Sequence, residues 1–399
     1  MLEPEYLLDI AEGAEIIAGY LHNEILEKIV ARIVARIGRG DDYILTPVDK
    51  WSIETLQSAG YLLRDIKADI QRYTSYEAKE IAEAMEEAGV KALKYDAKIY
   101  EAAGISNARL QQSPYMVRLM QRNYEKTMGT WKNFTGTTAE ASQRLFINEC
   151  DNAYHKVMSH ATSYTEAVSD AVEKIAKHGV TVEYPSGHTD TIETATLRAV
   201  RTGVGQACAE ISEERMKENN WDIVLVSAHL GARMGDGEPG PGNHFWWQGK
   251  FYSRSGKGDF PDFVTSTGYG TGEGLCGWNC RHSFGPGDGI HNPYQEFDSE
   301  ENQRIYELTQ RQRRLERRIR NTKREVMALD AAAEAAKDPE LQAKLKEAYK
   351  RKAVLLKRQN ADYNDFCEEN ELRPLADRLK IAKWNREQAA KAAGAARSK

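Results

Sequence analysis

The chain is poor in cysteine, with five in 399 residues, and an odd number argues against the disulfide framework of a small secreted protein. It has no apolar run long enough to cross a bilayer. Its first residues, MLEPEYLLDIAEG, are acidic where a secretory leader is basic. The expectation is a protein that is cytosolic where it is made, with no membrane partner. Excess basic charge is also missing: Lys+Arg 55 stands against Asp+Glu 60, a formal net charge of -5, so any nucleic-acid signal must be local. No Gly-Lys-Ser/Thr follows a glycine-rich stretch, which removes the phosphate loop. No spacing assigns a catalytic triad or a carboxylate pair, so the chain is expected not to be an enzyme.

What is present is a soluble composition, 41% hydrophobic and 29% charged, in a chain long enough for two or three domains. The unusual chemistry gathers in residues 227–289. There Gly268, Gly270, Gly272, Gly274 and Gly277 fall at near-alternate positions, and Tyr269, Leu275 and Trp278 anchor them. TGYGTGEG therefore reads as a tight folded loop in which missing Cβ atoms permit close backbone approach. Cys276 and Cys280, with His282 two residues on, form a zinc-ligand pattern if His229 or His244 folds back toward them. The alternatives are buried thiols with hydrogen-bonded histidines, or a Cys276–Cys280 disulfide.

Several runs lie in one order: FINECDNAY, TVEYPSGHTD, RAVRTGVGQ, SAHLGAR, WQGK-x-YS, PDF and TGYGTGEGLCGWNCRHSF. With them the chain resembles the tailed-phage minor capsid protein 2 family, itself related to the head-morphogenesis proteins named after the F protein of phage Mu. The resemblance implies structural roles for Arg201 and Thr202 on a helix, for His244 and Gly249, and for Asn279, Cys280 and Arg281. The last cysteine of that pattern is His282 here, which keeps a metal-ligand type. Arg233 and Trp247 belong to the same motifs. The resemblance further implies a low-copy head protein of the virion, made in the cytoplasm of the host bacterium and partnered by the portal and by other capsid or scaffold proteins.

Taken in order, the chain predicts an α+β fold that is mostly α. Residues 1–145 read as a helical domain, 146–297 as a small α+β module with the Gly-rich loop, and 298–399 as a basic coiled-coil hairpin with a flexible tail. Residues 5–37 read as one amphipathic helix carrying Leu26, Ile29, Val30, Ile33 and Ile37. Thr74 with Glu77 is a capping box that should open another helix, and Ser113-Pro114 should open a third. VTVEYPSGHTD is a hairpin signal, with His188 a turn histidine; a helix should follow over 192–219, then a buried strand over 223–228. Arg201 reads as a clamp on backbone carbonyls, because it carries five donors, and Trp246 and Trp247 read as core anchors.

Beyond residue 298, Ile305, Leu308, Gln312, Leu315, Ile319, Thr322, Val326 and Leu329 make a heptad seam, and Asp338-Pro339 turns the chain into a second arm. The first arm carries Arg313, Arg314, Arg317, Arg318, Arg320, Lys323 and Arg324, expected outside the seam. That cluster suits phosphate or an acidic protein surface, with non-specific contact to packaged DNA as one use. Two competing readings remain: a DNA-binding protein acting through this arm alone, and a metal-dependent or transferase-type enzyme using His229, Arg233 and His244, with Asp236 or Glu238 as base.

Overall fold

The computed structural model describes residues 1–40, 44, 47–105 and 114–397. In chain order its elements are α1 (Pro4–Asp9), α2 (Glu12–Ile37), α3 (Val48–Ala102), α4 (Pro114–Met158), α5 (Tyr164–His178), β1 (Thr181–Glu183), β2 (Thr189–Thr191), α6 (Ile192–Glu218) and β3 (Ile223–Val226). After these come α7 (His244–Trp247), β4 (Phe251–Ser253), α8 (Phe263–Thr267), β5 (Phe284–Pro286), α9 (Ser299–Ala335), α10 (Pro339–Glu369), a 3-10 turn (Ala376–Leu379) and α11 (Arg386–Ala395). The fold is thus mostly α with a minor β component, as the sequence predicts. Among the described residues no helix is long and apolar enough to cross a membrane.

The chain forms two compact units. Met1–Glu15, Tyr76–Trp131 and Thr196–Gln310 make the first, and Ile16–Ser75, Lys132–Ala195 and Arg311–Lys399 the second. In the first, helical segments pack through Leu7, Ala11, Ile81, Met85, Ala88, Ala92, Met128, Val200 and Val204. Small residues at Ala88 and Ala92 let the helices approach closely. Beside this layer lies a three-stranded antiparallel sheet in the order β4-β3-β5, with Val224 opposite Tyr252 and Leu225 opposite Gly285. The central strand is the continuous apolar run Ile223–Val226, as expected of a strand whose edges are both paired.

Residues 5–37 do not form one helix. The break at Ile10–Ala11 has a direct cause. Arg201 donates from Nε to the Leu7 carbonyl at 2.9 Å and from its guanidinium to that of Leu8 at 2.8 Å. Those two oxygens would otherwise accept from the amides of Ala11 and Glu12. The carbonyl clamp read at Arg201 therefore also ends α1. The capping box is overridden too: Thr74 lies inside α3, its hydroxyl donating to the Ile70 carbonyl at 2.7 Å. The apolar stripe Leu62, Ile66, Ile81, Met85 stays buried on both sides of it. Pro114 opens α4 as expected; Ser113 lies outside the described residues.

In the second unit α2 buries Leu26, Ile29, Val30, Ile33 and Ile37 as predicted. Trp51 stacks on Tyr154 at 4.6 Å, and the Arg36 guanidinium lies over the Trp51 ring at 4.0 Å. The predicted β-hairpin forms, with Thr181 opposite Thr191. Its turn residue His188 is exposed beside Asp190 at 3.2 Å.

The helical hairpin α9–α10 is also present. Asp338 caps α10 by accepting from the amides of Glu340 and Leu341. Gln312 reaches Tyr363 at 3.4 Å, Glu325 pairs with Lys352, and Gln342 donates to Ala333 at 3.1 Å, which is an antiparallel register. Ile319, Val326 and Leu329 are buried in the seam, but Ile305, Leu308 and Leu315 are only half-buried. The tail expected to be flexible instead begins as helix: α11 runs to Ala395, and Lys391 bonds Asp330 and Glu334.

Candidate functional site

The glycine-rich loop of the first unit is a compact platform held by its own backbone. Leu275 N–H donates to Thr267 O at 3.0 Å, Trp278 N–H to Gly272 O at 2.7 Å, and Gly277 N–H to Gly274 O at 3.1 Å. Gly268 ends α8 in the left-handed region, at φ 63°. Gly274 is required for a different reason: a Cβ there would overlap the Gly268 carbonyl oxygen, which is backbone and cannot swing aside. Gly274→Ala should therefore cost about 1–3 kcal/mol or more, as overpacking does. Hydrogen exchange at residues 268–282 is the measurement, and unchanged protection there would refute the close-approach argument. Cys276 and Asn279 also take left-handed backbone, at φ 58° and 55°. For Asn this is tolerated, whereas Cys276 is strained there.

This platform brings Cys280 and His282 together in the segment leading into β5, with Cys280 Sγ 3.7 Å from His282 Nδ1. His244 arrives from α7. Asn243 caps that single turn by accepting from Trp246 N–H at 3.0 Å. The turn puts His244, Trp247 and Gln248 on one face. His244 Nδ1 and His282 Nδ1 each lie 3.7 Å from Cys280 Sγ, and one ligand atom from each of the three residues falls within 4.8 Å of the others. All three side chains are buried.

The surrounding acceptors fix the imidazole tautomers. Gln248 Oε1 accepts from the His229 amide at 3.0 Å, so the amide group cannot be turned round, and the same oxygen lies 3.0 Å from His282 Nε2. An oxygen so placed accepts only, so His282 carries its proton on Nε2 and keeps a lone pair on Nδ1. His244 Nε2 lies 2.8 Å from the Glu273 carbonyl and 2.9 Å from the Arg233 guanidinium. One nitrogen cannot donate to the first and accept from the second. With the shorter contact, to the carbonyl, made by Nε2–H, the lone pair lies on Nδ1 and the Arg233 guanidinium stands beside the ring without a hydrogen bond to it. Burial, then the Arg233 charge, push His244 down to about 4. Burial together with the neighbouring histidines and arginines pushes His282 well below its ordinary value. Both rings are therefore neutral at physiological pH. Burial also raises the Cys280 thiol.

The remaining residues singled out in the sequence take other positions. His229 stacks on His282, ring centroids 4.5 Å apart, but its Nδ1 faces the Leu230 carbonyl at 3.1 Å and Arg281 at 3.2 Å. Cys276 turns its thiol to the His282 carbonyl at 3.7 Å and stands outside the triangle. Both cysteines are free thiols, so the disulfide alternative is excluded. Trp247 is fully buried against the His244 and His282 rings. Gly249 has positive φ, and a Cβ there would press on Ala228. Thr202 follows Arg201 on α6. Asp236 and Glu238 are exposed, with Asp236 accepting from the Glu238 amide at 3.1 Å.

Two supporting residues carried no signal of their own in the sequence. Gln248 was visible only as a member of the WQGK run. Asn302, at the start of α9, is fully buried; it accepts from Gly231 and Ala232 amides at 2.8 and 2.9 Å and donates to the Ala232 carbonyl at 2.9 Å. It thereby pins the start of the SAHLGAR segment's exit toward Arg233.

No curated protein matches this chain, and no solved structure matches it. A family model does. The Arg201 clamp, the folded glycine loop and the His-Cys-His cluster all lie within residues 2–367, the stretch matched by the model for phage minor capsid protein 2. The chain belongs to that family, and so to the structural proteins of a phage capsid.

Proposed function

We propose that this chain acts at low copy in the phage head, beside the portal during procapsid assembly, and that α9 presents a polyanion-binding face to packaged DNA. The observation that carries the DNA contact is the exposure of Arg311, Arg314, Arg317 and Arg318. At 3.6 residues per turn these four lie within about 120° of the helix surface. Arg317 is lowered from its ordinary value by partial burial and then by the like charges of Arg320 and Arg314, which outweigh Glu316. Between residues 311 and 318 the one acid, Glu316, is buried, so the exposed charges of that stretch of α9 are cationic.

The arginine cluster is smaller than the sequence suggests. Arg324 is buried and paired with Glu193. Arg320 and Lys323 donate to the carbonyls of Arg378 and Leu379 at 2.6 Å each. Burial, then Arg320, bring Lys323 down to about 8. These three serve the second unit's own packing, and Arg313 is half-buried; of the cluster, Arg314, Arg317 and Arg318 stay exposed, joined by Arg311, which lies over the Phe366 ring at 4.8 Å.

Each phosphate neutralised adds about -0.9 to the slope of log affinity against log salt. Full-length protein with Arg311, Arg314, Arg317 and Arg318 changed to Gln should lose two to four such contacts, an expectation of about 2–4 units of slope. A variant with the same slope and affinity as the parent would remove the DNA reading. Quantitative mass spectrometry of purified particles tests the head assignment. It should find few copies per particle, and absence from both heads and procapsids would overturn it.

A further inference from the structure

We infer that His244, Cys280 and His282 are the protein ligands of a zinc-type divalent cation, bound through Nδ1, Sγ and Nδ1. Tetrahedral zinc with Zn–N near 2.0–2.1 Å and Zn–S near 2.3 Å requires neighbouring N and S ligands about 3.6 Å apart. The two N···S separations here are 3.7 Å, so the side chains already stand close to ligand spacing. That agreement alone would also fit two weak thiol hydrogen bonds. The thiol has one proton, however, and two imidazole lone pairs converge on the same sulfur. One of those lone pairs is therefore left facing a sulfur with no hydrogen to offer. A cation at the centre of the triangle satisfies both.

The outer shell points the same way. A metal-bound histidine generally donates its other ring N–H to a carbonyl, carboxylate or amide oxygen, which fixes its tautomer. Here the Glu273 carbonyl and Gln248 Oε1 occupy those places at 2.8 and 3.0 Å. The indole of Trp247 packs beside both rings and closes the site on one side. The softness of one thiolate and two imidazoles selects zinc over hard cations such as magnesium or calcium. His229 is not a ligand: it stacks on His282, but neither of its ring nitrogens belongs to the group of converging ligand atoms. Cys276 is not one either, because its thiol stands outside the group of converging ligand atoms. The metal joins α7 to the segment before β5, tying residue 244 to residues 280–282.

The test uses the full chain, stripped with chelator, checked for folding by circular dichroism, and titrated with Zn²⁺ or Co²⁺ alone. The expected result is uptake of one equivalent, with visible d–d bands of tetrahedral cobalt and a thiolate-to-cobalt charge-transfer band in the near ultraviolet. C280S should abolish the charge-transfer band, and H244Q and H282Q should each weaken binding. C276S and H229Q should keep both spectrum and stoichiometry. Gln248→Leu, which removes the outer-shell acceptor without touching a ligand, should weaken binding about 10–100-fold, whereas Gln248→Glu, which retains it, should not. A folded parent chain that takes up no cobalt overturns the inference. So does an unchanged charge-transfer band in C280S, and loss of metal in C276S would overturn the ligand set.

Discussion

Replacing Arg324 by Met should lower the stability of the second unit by about 3–5 kcal/mol near neutral pH, the cost of stranding one member of a buried ion pair. Arg324, Glu193 and His22 are all buried, and Glu193 joins the other two: it pairs with Arg324 through one oxygen and accepts from His22 Nδ1 at 2.9 Å through the other. His22 Nε2 accepts from the Val180 amide at 3.2 Å, so the ring is the neutral Nδ1–H tautomer. Burial drives the same result by lowering His22 from its ordinary value, against the pull of Glu193. Burial alone would raise the Glu193 carboxyl, but Arg324 and then His22 outweigh it and hold the group below the ordinary carboxylate range.

A carboxyl whose folded pKa is depressed contributes stability that is present above its unfolded value, about 4.3, and is lost as pH falls through the folded value. His22, lowered in the fold, likewise contributes above its unfolded value of about 6.5 and loses that contribution on acidification. In Arg324→Met the burial of Glu193 is no longer opposed by the guanidinium, so its pKa rises and acid relieves the stranded charge. The deficit relative to the parent should therefore shrink as pH falls from about 7 to about 5. Adding Glu193→Gln to Arg324→Met should recover part of the loss at neutral pH, because the amide leaves no buried charge. Urea denaturation followed by hydrogen exchange in α2 and α9 gives the reading. A loss under about 1 kcal/mol, or a deficit independent of pH, would show that the pair is not the buried centre described here.

This triad separates what the local sequence determines from what only long-range contacts determine. The apolar positions of α2, the β-hairpin at 181–191, the strand at 223–226 and the α9–α10 turn at Asp338-Pro339 all follow local rules of period, turn chemistry and capping, so they were legible. Arg324 was also visible, but as one of a run of cations expected on the surface. Nothing local says that this member of the run meets Glu193, 131 residues away. The same holds for Arg201: its type suggested a clamp, yet that it would end α1 depended on a contact 193 residues distant. At Thr74 the failure ran the other way, a correct local signal losing to burial on both sides.

The His-Cys-His cluster was legible by composition and blurred in detail. Five residues were candidates, and spacing alone does not rank His229 against His244 or Cys276 against Cys280. The ranking comes from which ligand atoms converge: Gln248 and the Glu273 carbonyl orient two rings inward, while His229 and Cys276 stand outside the group formed by His244, Cys280 and His282. Gln248 is decisive in this and is one glutamine among many in the sequence, with no pattern to mark it.

Trp247→Ala should have an effect as large as that of Arg324→Met, for a reason set by packing rather than charge. The indole is fully buried in the core that Val224, Val226, Tyr252, Phe263 and Phe284 complete. Its ring centroid lies 4.5 Å from that of His244 and 4.8 Å from that of His282. Truncating a buried Trp to Ala costs about 3–5 kcal/mol, from lost transfer energy and from the cavity left behind. Two further losses apply here. The Pro241 carbonyl, 3.0 Å from Nε1, loses its donor, and both histidine rings lose the surface that holds them toward Cys280. Trp247→Phe keeps most of the aromatic face and should cost distinctly less, leaving mainly the missing donor. Hydrogen exchange at β3 and β5 measures the packing loss, and imidazole nitrogen chemical shifts of His244 and His282 report whether the Nε2–H tautomers persist. The expected outcome is faster exchange in both strands together with averaging of the two tautomers in Trp247→Ala, and retained tautomers in Trp247→Phe. If Trp247→Ala leaves exchange in β3 and β5 unchanged, the indole is not a keystone of this core and the ordering of the rings must come from Gln248 and Glu273 alone.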